Sequence, residues 1–119
     1  MSIRRGAVVR VRFDPSVGSE IRKTRPAVVV SNDVACRHDA VVQVVPATRL
    51  PAGRELRPYE SRLEPVPSGL ERPSRLVANQ VRTISKQRIV GEIGRISEEE
   101  ARALDRALAI QLGLEPCPP

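Results

Sequence analysis

The chain has 119 residues, 40% of them hydrophobic, and a net charge of +6. That length fits one core and is short for two, so a single domain over 1–119 is expected, with flexible ends at 1–5 and 114–119. Phe13 and Tyr59 are the only aromatic residues, so a base-stacking sheet of the RRM or OB kind lacks material.

The positive charge gathers early. Among the first 25 residues, Arg4, Arg5, Arg10, Arg12, Arg22, Lys23 and Arg25 face only Asp14 and Glu20, a local net charge of +5. Phosphate is the natural polyanionic partner for such a run, although a basic surface also serves plain solvation. Cys36 and Cys117 form no CxxC and have no histidine at zinc-ligand spacing, so no metal and no other cofactor is expected. The start MSIRRGAVVRVRF lacks the apolar core of a signal peptide, and no stretch nears the roughly 20 apolar residues of a membrane span. A cytoplasmic protein with no membrane association is therefore expected.

In chain order, Val8–Phe13 alternates as a half-buried strand and ends at Asp14-Pro15. Residues 14–24 form a polar loop. Ala27–Ser31 is an apolar strand closed by Asn32-Asp33, and Ala40–Val45 is a third strand stopped by Pro46. Residues 49–75, dense in proline, arginine and glutamate, predict a long irregular excursion with one short strand near Ser61–Glu64. Leu76–Ser85 and Gln87–Ile93 read as two more strands with a turn at Ser85-Lys86. The one clear helix starts at Ser97, where Ser97-Glu98-Glu99-Glu100 is a capping box, and stops at Gly113. Ala101, Leu104, Leu108 and Leu112, widened by Ala107 and Ile110, give it one apolar face. Mostly β with a C-terminal α-helix, the chain fits a small SH3-like barrel.

The stretch VGSEIRKTRPAVVVSND sets three cations against Pro26, which fixes its own φ and holds Arg25 extended. If the second and third strands pair antiparallel with Ser31 facing Val41, Pro26 falls opposite Pro46 and Arg25 opposite Ala47. Arg25 and Thr48 then share one end of the pair. A planar fork of donors beside a hydroxyl suits a phosphate.

The segments RRGAVVRVRFDPSVGSEIRKTRPAVVVSND, VVPAT and NQVRTISKQRIVGEIGRIS resemble the MazF/PemK family of toxin endoribonucleases over nearly the whole chain. The resemblance implies a CcdB-like SH3 barrel, a homodimer, and metal-independent, sequence-selective cutting of single-stranded mRNA that leaves a 2′,3′-cyclic phosphate and a 5′-hydroxyl and stops translation. It places the catalytic pair on Arg25 and Thr48. Gly18, Ser19 and Glu20 match the flexible segment beside the RNA groove, with Lys23 next to it, and Gln80 and Arg82 match the family's QxRT strand. Arg49 departs from the pattern, since many relatives carry Ser there. The implied partners are single-stranded RNA and a cognate antitoxin of a type II toxin–antitoxin system, expected to bring a flexible, acidic C-terminal segment across Arg25 and the 18–23 loop.

Metal-free RNA cleavage needs one group to take the 2′-hydroxyl proton and another to protonate the leaving oxygen. The only histidine, His38, lies at the far end of the strand pair from Arg25. Arg25 and Thr48 supply charge stabilisation, whereas a guanidinium resists deprotonation. Glu20 either accepts or relays the proton or is a solvated carboxylate, and both readings stay open. Arg49 joins Gly18, Ser19, Lys23, Gln80 and Arg82 as an RNA-binding candidate, with Arg82 alternatively a structural ion-pair partner. Two other functions fit the same barrel: a CcdB-like toxin acting on DNA gyrase without nuclease activity, and a basic SH3-like RNA-binding module.

Overall fold

In a computed structural model, residues 3–15 and 17–119 are described. The apolar runs of the first half form three neighbouring strands, β1 (Ala7–Arg12), β2 (Thr24–Val29) and β3 (Val41–Arg49). Where they lie side by side at Val8–Val9, Ala27–Val29 and Val44–Ala47 they are apolar on both faces because both faces are covered, while Arg10, Arg12, Thr24 and Arg25 are exposed. Val9, Val11, Ala27, Val29, Val42 and Val44 join Phe13 in one cluster, while Val8, Val28, Val45 and Ala47 join Leu63, Leu76 and Leu104 in another.

Four more strands follow, the first three shorter: β4 (Glu60–Leu63), β5 (Ser74–Val77), β6 (Arg82–Ser85) and β7 (Ile89–Arg95). The antiparallel order is β4-β5-β3-β2-β1-β7, with β6 also on β3. Among the described residues no ladder joins β4 to β7, so the sheet stays open. Bulges where β1 pairs with β7 add local twist.

Two expectations about β3 need correction. The strand does not stop at Pro46 but runs on to Arg49. Val41–Val44 pairs with β6 and Ala47–Arg49 pairs with β5, so Pro46, with no N–H to give, falls between two ladders on that edge. The same switch divides the expected Leu76–Ser85 strand, because a 3₁₀ turn at Ala78–Gln80 carries the chain from β5 to β6.

Between β2 and β3 lies a helix that the sequence did not announce, α1 (Asp33–His38). Asn32, read as a strand stop, is its N-cap and accepts a hydrogen bond from the Ala35 N–H at 2.9 Å. Residues 3–5, expected within a flexible end, are anchored: Ile3 is buried, and Arg5 donates to the Val30 carbonyl at 3.0 Å and to Asp105 at 2.7 Å. Residues 1 and 2 lie outside the described residues.

The excursion carries a single kinked turn, α2 (Pro65–Ser68), laid against β7. The approach is backbone to backbone: a Cβ on Gly94 would stand 2.4 Å from the Ser68 carbonyl oxygen, and one on Gly69, at φ +83°, 2.7 Å from that of Ile93. The last helix, α3 (Glu98–Gln111), has both capping-box bonds, Ser97 Oγ accepting at 3.1 Å and Glu100 Oε1 at 2.9 Å. Leu104, Ala107 and Ile110 are buried, and burying the Leu104 side chain contributes about 2 kcal/mol. Leu112 instead caps the helix and reaches solvent.

Candidate active site

The functional end of the sheet forms where β2 begins and β3 ends. Ala27 pairs with Pro46, Val28 with Val45 and Val29 with Val44, one residue out of the expected register. Extending that ladder by two residues brings Arg25 level with Thr48 rather than Ala47, which draws the suspected pair closer. The slip has a physical origin, since α1 takes up the connection and removes any tight turn from which to count.

Arg25 is exposed and donates through Nε to the Arg22 carbonyl at 3.3 Å. It lines a cavity of about 460 Å³ with Thr48, Arg10, Arg49 and Arg72, and Glu71 is the one acid on its wall. Four guanidiniums around the Thr48 hydroxyl, with Ser74 also on the wall but donating to the Arg72 carbonyl at 3.2 Å, make a site for an anion. Thr48 also lines a second hollow of about 280 Å³, bounded by Ile21, Tyr59, Glu60, Arg75 and Gln80. It therefore sits on the ridge between the two.

The loop before β2 is held loosely, and several candidates serve to hold it. Gln80 accepts from the Ile21 N–H at 3.4 Å and donates to the Ser19 carbonyl at 3.3 Å. The Gly18 carbonyl accepts from Arg22 at 3.0 Å. Lys23 is exposed at φ 67°, and its carbonyl receives the Phe13 N–H at 2.9 Å. Arg82 lies 5.4 Å from the centre of the Phe13 ring and 3.5 Å from Glu20, so its charge is spent inside the fold. Glu20 accepts from the Val17 N–H at 3.1 Å and lines neither hollow. The structure brings Arg25, Thr48 and Arg49 together; Glu20 stays apart from them in this arrangement.

Sequence reasoning missed Glu60. The first residue of β4 has a side chain only 2% exposed, and four donors fill its two oxygens. Arg54 gives two bonds at 2.8 and 3.2 Å, Arg75 one at 2.6 Å and the Arg57 N–H one at 2.9 Å. Burial pushes its carboxyl up, but these bonds more than offset that and hold it below the usual carboxylate range. The same contact raises the Arg54 guanidinium. The available signal was an acid at a strand start within a run of arginines, which reads equally as solvated surface.

The other end of the strand pair holds His38, the last residue of α1, and the buried Cys36. Burial first, and then Asp33, push the Cys36 thiol up, so it is a poor nucleophile there. Cys117 is exposed. Among the described residues no three His, Cys, Asp or Glu side chains gather to hold a metal ion, and no helix is long and apolar enough to cross a membrane.

Residues 4–112 match the family model described as PemK-like, MazF-like toxin of type II toxin-antitoxin system. The chain is 38% identical over 117 residues to endoribonuclease MazF9 of Mycobacterium tuberculosis (strain ATCC 25618 / H37Rv), covering 94% of this chain and 98% of that one. It is 32% identical over 114 residues to endoribonuclease EndoA of Bacillus subtilis (strain 168), covering 96% and 97%. A mycobacterial endoribonuclease solved with its cognate antitoxin superposes with a TM-score of 0.78 at 25% identity, over 95% of this chain and 97% of that one. MazF from Deinococcus radiodurans shares the fold, with a TM-score of 0.78 at 23% identity over 95% and 98%.

Proposed function

Because this chain belongs to the family of PemK-like, MazF-like toxins of type II toxin–antitoxin systems, we propose that it is an endoribonuclease that cuts single-stranded mRNA without metal at selected sequences. The observation that carries the reading is Thr48 beside Arg25 on the wall of an arginine-rich cavity. The ribose 2′-hydroxyl loses its proton and attacks the adjacent phosphorus. The bond from phosphorus to the 5′-oxygen breaks, and that oxygen takes up a proton, leaving a 2′,3′-cyclic phosphate and a 5′-hydroxyl. Arg25 binds the charge that develops on the non-bridging oxygens, and Thr48 adds one hydroxyl donor.

Glu20 is the proposed proton acceptor. For that role the 17–23 loop has to give up its contacts to Arg82 and Gln80, which are few and mostly long. Gly18, Ser19 and Lys23 border the RNA path, Arg49 lies on the cavity wall, and Gln80 and Arg82 set the loop's rest position. The protein works in the cytoplasm as a homodimer, whose two-fold axis joins two basic surfaces into a longer channel. An acidic segment of the antitoxin occupies the same channel and excludes RNA. A gyrase poison or a plain RNA-binding module has no use for the Arg25–Thr48 pair.

Incubation with long single-stranded RNA in EDTA, followed by sequencing of 5′-hydroxyl ends, tests the reading. Discrete cuts are expected. Intact RNA, or cutting that stops when metal is removed, overturns it.

A further inference from the structure

Thr48 has a neighbour on each side. Towards β2 it is Arg25; towards β5 it is Arg75, which the ladder places directly opposite Thr48. Residues opposite one another in an antiparallel pair project to the same face about 5 Å apart. Arg25, Thr48 and Arg75 therefore form a row across three strands. Arg75 and Thr48 also line one hollow together.

The guanidinium of Arg75 is not free to swing. Its Nε donates to the Arg49 carbonyl at 3.2 Å and its Nη1 to Glu60 at 2.6 Å, while Nη2 makes no hydrogen bond among the described residues. Glu60 cannot itself act on a substrate, because both its oxygens are filled by Arg54, Arg75 and the Arg57 N–H. Two cations share this one carboxylate, so the cluster keeps a net positive charge. The carboxylate side chain is 2% exposed and the Arg75 side chain 23%, so the acid is the more deeply buried partner and the cation keeps some access to solvent. Arg75 helps to neutralise Glu60, and its remaining nitrogen, Nη2, is left over for a further anion on the side of the hollow it shares with Thr48.

We propose that Arg75 binds an RNA phosphate next to the scissile one, and that Glu60 is the positioning residue that aims it. This rests on the endoribonuclease reading above and adds to it a phosphate contact on the β5 side of Thr48. Arg54 keeps Glu60 neutralised when Arg75 is substituted, which lets the fold survive the test.

The probe is a short mixed-sequence strand of 2′-O-methyl RNA, which binds but has no 2′-hydroxyl to attack. Its affinity for wild type, Arg75→Gln, Arg75→Lys and the remote surface control Arg102→Gln is measured across a salt series, and cleavage of unmodified RNA gives KM and kcat. For Arg75→Gln the slope of log affinity against log salt should flatten by about 0.7, one phosphate contact on a single strand. KM should rise roughly tenfold, the loss of one charge-assisted bond, with kcat within about threefold of wild type. Arg75→Lys should recover the slope but only part of the KM. Glu60→Gln should raise KM without flattening the slope, since both cations remain.

An Arg75→Gln slope and KM equal to those of Arg102→Gln overturn the proposal while leaving the nuclease reading intact. So does a lowered melting temperature with unchanged binding, which marks a structural pair only. A wild-type protein that neither binds the probe nor cuts RNA removes the nuclease reading itself.

Discussion

Two glutamates sit on two different segments, Glu60 lining a hollow with Thr48 and Glu20 held away from it by Arg82, and their circumstances differ. Glu20, on the 17–23 loop, has a side chain 46% exposed, one backbone bond and an arginine at 3.5 Å. Glu60, on the 49–75 excursion, is nearly inaccessible and saturated by four donors. Both lie among arginines in the sequence. Burial makes one segment a fixed wall and leaves the other a movable flap, although the flap is short and the wall belongs to a stretch that composition alone marks as loose.

The contrast fails most visibly if chemistry and stability do not separate. Arg25→Ala, at the foot of the flap, should lower kcat about 10²–10³-fold and leave the melting temperature unchanged, as read by cleavage and thermal unfolding. An unfolded variant would mean that the flap side also carries the fold. On the wall, Glu60→Ala should cost about 3 kcal/mol in denaturant unfolding, because two cations lose their shared counter-charge. Wild-type stability would break the comparison.

Acid sharpens the same point. The Glu60 carboxyl is held below its ordinary value of 4.5 in the folded state, so its contribution is complete above that value and is lost as pH falls through the lower, folded-state value. Unfolding midpoints should decline below about pH 4.5, and less steeply in Glu60→Gln. An identical decline in both would remove Glu60 from the acid response.

Smaller effects belong to the flap. Gln80→Ala removes two long hydrogen bonds to residues 19 and 21 and should cost about 1 kcal/mol locally. Amide exchange over 17–23 should quicken while the core strands stay protected, and unchanged exchange would show the loop to be fixed by other means. The smallest stability change is expected for Glu20→Gln. A lost rate with a shifted pH profile supports proton transfer, and a change in RNA affinity alone assigns Glu20 to positioning.

Much of the framework was legible because local signals agreed with tertiary need. The box at Ser97 and Glu100 caps α3 as expected, and the apolar runs at Val8–Val11 and Ala27–Val29 are strands. That Arg25 and Thr48 meet at one end of the sheet was legible through the strand pairing and the nearby Pro26 and Pro46. What stayed hidden depends on distant partners. Six residues of α1 are too few to show a helical period. Pro46 suggested a stop because the single sequence cannot reveal that β5 and β6 divide one edge of β3 between them. Glu60 looked like any other acid in a charged run until folding set Arg75, 15 residues away, beside it.

The contact between Gly94 and Ser68, with its counterpart between Gly69 and Ile93, bears on how the protein can be recombined. At these points the excursion meets β7 through peptide groups, joined at Gly69 by the Ile93 side chain, which leaves little to adjust. Chimeras that import residues 49–75 from a relative should therefore fold only when the recipient also keeps glycine at 94 and the donor glycine at 69. The unit that can be exchanged is the excursion together with its landing place on β7, two pieces of chain that inheritance must keep in step.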